Sequence, residues 1–124
     1  EEADMARILI VDDEKNIRFT LNEFLKDDNH DVHTADDAFS ALELLKKQPV
    51  DLIICDIMLP RIKGTDLLFT VRAVYPDVKL LLITGQPSHE TEEIGKKAGA
   101  FAYLPKPVTK EMIRSVVKDA LASP

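Results

Sequence analysis

Residues 50–60 read Val-Asp-Leu-Ile-Ile-Cys-Asp-Ile-Met-Leu-Pro. Four consecutive apolar side chains, Leu52 to Cys55, stop at a single carboxylate, Asp56, with Pro60 shortly after. A short, unbroken apolar run of this kind predicts a strand buried on both faces, as in a parallel sheet between two layers of helix. The pattern recurs along the chain. Ile8 to Val11 stops at Asp12-Asp13, Val78 to Ile83 stops at Thr84-Gly85, and Ala100 to Leu104 leads into Pro105-Lys106-Pro107. Val32 to Ala35 is a shorter, weaker strand.

The intervening stretches carry helical periodicity. Ile17, Leu21, Phe24 and Leu25 share one face of a helix over residues 16–26, and Ala38, Ala41, Leu42 and Leu45 share a face of the next, which ends near Pro49. Residues 66–73 are helical. Residues 88–98 form a polar helix anchored by Ile94 and Ala98, with Gly99 ending it at positive φ. Thr109 is the N-cap of a last helix with Met112, Ile113, Val116, Val117 and Leu121 on one side. Strand and helix alternate five times, which predicts one α/β domain with helices on both faces of a parallel sheet. Phe19, Phe24, Phe39 and Phe69 are read as core or helix-face packing. Phe101 is expected on the fifth strand, on the same face as Tyr103, and His30, His33 and His89 as scattered and exposed.

The chain has 124 residues, enough for one sizeable core and too few for two ordinary domains. With 16 basic and 22 acidic side chains, net charge −6, it has no basic face for direct nucleic-acid binding. The single cysteine, Cys55, excludes an internal disulfide, and its apolar setting predicts a buried thiol in a reducing compartment. No apolar run is long enough to cross a membrane, so the cytoplasm is the expected location. Met5 reads as a native start, with residues 1–6 a flexible extension or cloning remnant and 7–122 the domain.

In an open parallel sheet the strand C-termini share one edge, where ligands bind. Asp12, Asp13, Asp56, Thr84 and Lys106 all fall on that edge. Three neighbouring carboxylates repel one another unless a cation compensates, and oxygen ligands without cysteine or imidazole suit Mg²⁺ or Mn²⁺. A hydroxyl and an ammonium opposite such an ion make a cradle for phosphoryl oxygens. With no serine or reactive cysteine at the edge, a carboxylate is the available nucleophile, and Asp56, alone at the end of a central strand, is best placed. Asp12 and Asp13 suit metal holding. The Lys106-Pro107 bond is open to either isomer, cis or trans.

In this order and spacing, Ile10-Val11-Asp12-Asp13-Glu14, Asp56-Ile57-Met58-Leu59-Pro60 with Gly64, Thr84-Gly85, Gly99-Ala100 and Tyr103-Leu104-Pro105-Lys106-Pro107 resemble the receiver domain of two-component response regulators. The resemblance covers residues 7–122. It implies a flavodoxin-like, doubly wound five-stranded sheet of order 2-1-3-4-5. It implies Asp56 as phosphoacceptor from a sensor histidine kinase or phosphotransfer protein, and Mg²⁺ held by Asp12, Asp13, Asp56 and the Met58 carbonyl. Lys106 is implied to pair with the carboxylate and then the phosphoryl group. Thr84 and Tyr103 are implied as switch residues, Lys106-Pro107 as a cis bond, and Met58 and Gln86 as lifetime-tuning positions, here suited to a long-lived phosphoryl state. The domain would catalyse its own phosphorylation and slow dephosphorylation, and would change the surface of the fourth helix, fifth strand and fifth helix, a site for a partner or a homodimer. Transcription regulation is the expected output. The competing readings are a non-phosphorylated pseudo-receiver acting as an interaction module, the receiver of a hybrid kinase, and a small Mg²⁺-dependent phosphatase. Lys63 departs from the small polar or acidic residue common at its position.

Overall fold

The computed structural model describes residues 5–124; of the extension expected over residues 1–6, residues 1–4 lie outside the described residues, and Ala6 belongs to the folded domain. Five strands, β1 (Arg7–Val11), β2 (Asp31–Ala35), β3 (Leu52–Asp56), β4 (Lys79–Thr84) and β5 (Ala102–Pro105), alternate with five helices. These are α1 (Lys15–Lys26), α2 (Ala38–Lys47), α3 (Gly64–Val74), α4 (His89–Lys97) and α5 (Lys110–Ala122). All strand pairs are parallel, and the order is β2-β1-β3-β4-β5. This is the doubly wound arrangement that the apolar strands between amphipathic helices predict.

Successive strand residues point to opposite faces, so each apolar strand feeds two cores. Leu9, Val11, Ile53, Cys55, Leu80 and Leu82 pack under α2, α3 and α4 against Ala41, Leu45, Leu67, Leu68, Val71 and Ala98. Ile8, Ile10, Leu52, Ile54, Leu81 and Ile83 pack under α1 and α5 against Leu21, Leu25, Ile113, Val117 and Ala120. Each such aliphatic side chain, taken fully out of water, contributes about 1.5–3 kcal/mol before entropy is counted. Ala6, just before β1, is buried, and its N–H donates to His30 Nδ1 at 3.1 Å.

Three helices are capped by side chains: Asp37 accepts from Ser40 N–H, Ser88 from Thr91 N–H, and Thr109 from Met112 N–H. Gly99 has φ +82°, and Ala100 and Gly99 N–H bond back to the Gly95 and Lys96 carbonyls, closing α4 in a Schellman turn.

Several packing expectations are corrected. Phe19, Phe39 and Phe69 are exposed, as is Met112 on α5; only Phe24 of the four phenylalanines packs against the core. Each helix already fills its inward stripe with smaller aliphatic residues, which leaves these side chains outside it. Phe39 instead carries the Arg61 guanidinium 5.4 Å above its ring. Phe101 lies exposed ahead of β5, which begins at Ala102 and not Ala100. His30 and His33 are half-buried; only His89 is exposed. Helix α3 begins at Gly64, two residues before the expected start.

Candidate functional site

The register of the sheet brings the strand ends level. Val11 lies beside Cys55, Asp56 beside Ile83, and Thr84 beside Pro105. Asp12 therefore leaves β1 next to Asp56 on β3. Both side chains are buried, with 0% and 3% of their residues exposed. Their surroundings are matched. Asp12 Oδ1 accepts the Glu14 N–H at 2.9 Å, and Asp56 Oδ1 accepts the Met58 N–H at 3.0 Å. The second oxygen of each, Oδ2, lies 3.0 Å from Lys106 Nζ. Glu14 Oε1 approaches the same ammonium at 3.3 Å. Arg18 on α1 donates to the Asp12 carbonyl at 2.8 Å, fixing the turn out of β1.

Lys106 reaches this place from the turn after β5. Its own N–H bonds the Thr84 carbonyl at 2.7 Å, and the following Lys106-Pro107 peptide is cis. The loop after Asp56 is pinned by Gly64, whose N–H bonds the Ile57 carbonyl at 2.9 Å. A Cβ at Gly64 would stand 2.1 Å from the Asp56 carbonyl oxygen, so the close approach admits only glycine.

Four carboxylates, Asp12, Asp13, Glu14 and Asp56, offer oxygens within 4.8 Å of one another against the single ammonium of Lys106. The charge is unbalanced, and its effect falls on Asp12. Burial pushes its pKa up, reinforced by the charge of Asp56, and the Glu14 N–H and Lys106 offset this only in part. Burial by itself works against the Lys106 ammonium, but its contacts with Asp12 and Asp56 prevail and hold its pKa above the ordinary lysine range. Asp12 Oδ2 is buried and forms no aligned hydrogen bond. An all-oxygen cluster of four carboxylates that share one ammonium fits a hard divalent cation that keeps several waters. Cys55, one residue from Asp56, is fully buried; burial first, then Asp56 and Asp12, push its thiol far up, so it has no nucleophilic role.

Of the remaining sequence-predicted residues, Met58 contributes its N–H to Asp56 while its side chain is exposed. Thr84 is buried at the end of β4, and its hydroxyl accepts the Gln86 N–H at 3.0 Å. Gln86 is exposed. Tyr103 is half-buried, and its hydroxyl meets Thr91 Oγ1 at 2.6 Å at the start of α4. Glu14 and Arg18 were assigned no part at the site from sequence. Glu14 directly follows the acidic pair and Arg18 lies one helical turn later, and that spacing was the available signal.

A buried carboxylate beside an acidic pair and a lysine lies on the carboxyl edge of a 2-1-3-4-5 sheet, where doubly wound α/β domains bind their ligands. Residues 8–118 match the family described as response regulator receiver domain. The chain is 32% identical over 115 residues to the response regulator MprA of Mycobacterium leprae, covering 93% of this chain and 50% of that protein. It is 34% identical over 118 residues to the DNA-binding transcriptional regulator NtrC of Azospirillum brasilense, covering 95% of this chain and 24% of that protein. Among solved structures, a CheY-like receiver domain protein from Methanospirillum hungatei superposes with a TM-score of 0.91 at 32% identity, covering 95% of this chain and 94% of that one. This chain belongs to the response regulator receiver domain family, and it spans at most half the length of these two curated relatives.

Proposed function

We propose that residues 7–122 form a phosphorylation-activated receiver that takes a phosphoryl group onto Asp56 and thereby controls an output domain or partner. The observation that carries this reading is the matched pair of buried carboxylates facing one ammonium: Asp56 held by the Met58 N–H on one oxygen and by Lys106 Nζ at 3.0 Å on the other. In the transfer, an Asp56 carboxylate oxygen attacks phosphorus and the P–N bond of a donor phosphohistidine breaks. The electron pair leaves with the imidazole, which takes a proton from water, and Asp56 becomes an acyl phosphate. Lys106 keeps its charge throughout and faces the incoming phosphoryl oxygens. Mg²⁺ or Mn²⁺, held by Asp12, Asp13 and Asp56 with the Met58 carbonyl, supplies the positive charge that offsets the carboxylates and the phosphoryl oxygens.

The new phosphoryl oxygens are acceptors for Thr84 and Lys106, and Tyr103 follows Thr84, changing the surface of α4, β5 and α5. That surface docks a partner or a second copy. Met58 offers no side-chain group to orient water toward Asp56 and Gln86 is uncharged, so the phosphoryl state is long-lived. A histidine kinase or phosphotransfer protein is the donor and the cytoplasm the location, supported by the buried free thiol of Cys55. No helix among the described residues is long and apolar enough to cross a membrane. The similarity to NtrC, a DNA-binding transcriptional regulator, favours transcription control as the output.

The test is intact mass after incubation with Mg²⁺ and acetyl phosphate. Wild type gains about 80 Da, and Asp56→Asn gains nothing. Equal labelling of both proteins would move the acceptor elsewhere.

A further inference from the structure

Arg61, on the loop between Asp56 and α3, has φ +67°, a left-handed backbone that a residue with a Cβ adopts at a cost. Its side chain is anchored to another element. Nη2 donates to Asp37 Oδ2 at 3.1 Å, and the guanidinium lies over the Phe39 ring. Asp37 is the N-cap of α2, and its other oxygen, Oδ1, accepts the Ser40 N–H at 2.8 Å. One carboxylate therefore starts α2 and holds the loop that follows Asp56. Among the described residues, no other side chain of residues 57–63 hydrogen-bonds to another element. Glycine would adopt the backbone at position 61 without strain; arginine bears the strain and supplies the tie.

The sheet order gives this tie its place. Strand β1 lies between β2 and β3. Asp37 follows the turn out of β2, and Ala35, the last residue of β2, accepts the Asp12 N–H at 3.1 Å. Arg61 belongs to the loop out of β3, which carries Met58, whose N–H bonds Asp56 Oδ1. The tie thus joins the two loops on either side of the strand end that Asp12 and Asp13 leave. Leu59 and Ile62 hold the inner side of the β3 loop against the core, and Arg61 fixes its outer side. We propose that Arg61 is a positioning residue: through Asp37 and Phe39 it holds the Met58 segment in register with the turn after β2, so that the oxygen cluster is already in place for a divalent cation.

The proposal rests on the metal reading above, and two variants separate the tie from the fold. Arg61→Gly relieves the backbone and cuts the tie. Asp37→Ser keeps an N-cap for α2 and removes the carboxylate that holds Arg61. Neither is expected to lower the urea midpoint appreciably. The Mg²⁺ dissociation constant, from NMR titration of unphosphorylated protein, is expected to rise about three- to tenfold in Arg61→Gly, less than for a partner that touches a ligand directly. Asp37→Ser should show a smaller rise, because Phe39 still faces the guanidinium. Combining the two is expected to add nothing to Arg61→Gly alone, since both break one tie. Wild-type Mg²⁺ affinity in Arg61→Gly, or losses that add in full in Arg61→Gly/Asp37→Ser, overturns the proposal. A urea midpoint lowered in step with the affinity would make Arg61 a merely structural residue and overturns it as well. A wild type that does not bind Mg²⁺ would instead count against the metal reading. The tie is then read in metal-free protein from exchange of the Met58 amide proton, which is expected to quicken about threefold in Arg61→Gly. Unchanged exchange there also overturns the proposal.

Discussion

The two edges of the sheet carry charge clusters that are both built around aspartates and arranged oppositely. At the amino edge, Arg7 Nε meets Asp31 Oδ2 at 3.0 Å, its N–H meets Asp51 Oδ2 at 2.8 Å, and its Nη1 meets the Pro49 carbonyl at 3.1 Å. His33 adds a contact to Asp31 at 3.1 Å. These groups are half-buried or exposed, none fully buried, and the carboxylates have donors to face. At the carboxyl edge, two carboxylates are buried, two more crowd them, and one lysine serves the set. The first cluster closes off strand ends. The second holds negative charge in excess of its one lysine, and such sites are kept at the expense of stability.

Removing the cation from each edge is the strongest test of this contrast. Lys106→Met leaves Asp12 and Asp56 buried without their counter-charge and is expected to destabilise the metal-free protein by about 2 kcal/mol, read from urea unfolding. Arg7→Met removes an exposed pair and is expected to do far less. Equal losses at the two edges would dissolve the distinction.

Next in size is Asp12→Asn. It removes a charge whose burial already raises its pKa, and is expected to stabilise the metal-free protein by about 1 kcal/mol. The same change takes away a carboxylate proposed for the metal. Mg²⁺ should therefore raise the melting temperature of wild type by mass action and leave that of Asp12→Asn nearly unmoved. A variant that is no more stable, or that responds to Mg²⁺ as wild type does, would place the excess charge elsewhere.

The contrast also explains what was legible in the sequence. Strands β1, β3 and β4 are unbroken apolar runs buried on both faces, and each ends at the polar residue that serves the site, so one reading yields both the fold and Asp12, Asp56 and Thr84. The register that makes Asp12 and Asp56 neighbours follows from the parallel topology. The helices were less transparent. Their outward faces carry large apolar side chains, and periodicity alone does not say that Phe19, Phe39, Phe69 and Met112 lie outside the stripe while Gly95 lies inside. Gly95 is buried because a Cβ there would stand 2.6 Å from Leu82 Cδ1. That constraint arises from helix-to-sheet distance and leaves no hydropathy signal. The link of Ser88 to Tyr103 spans 15 residues and joins polar atoms, which no local pattern reports.

The smallest expected effect is one of pH, and its sign differs between the edges. Hydrogen bonds from Arg7 and then His33 hold the Asp31 carboxyl below its usual 3.8. A folded pKa below the unfolded one means that Asp31's contribution is fully present above pH 3.8 and is lost as pH falls through the folded value. Asp12 runs the other way. Its folded pKa lies above 3.8, so the folded state holds the proton more tightly, and stability declines as pH rises from 3.8 through the folded value. In the metal-free protein with EDTA present, Asp31→Asn should therefore make the acid loss of stability shallower. The advantage of Asp12→Asn over wild type should be full near neutrality and fade below pH 3.8, where wild-type Asp12 is itself protonated. Urea midpoints taken across this range read both. An advantage for Asp12→Asn that stays constant into acid would mean that shape, and not buried charge, sets its effect, and the two edges would then differ only in exposure.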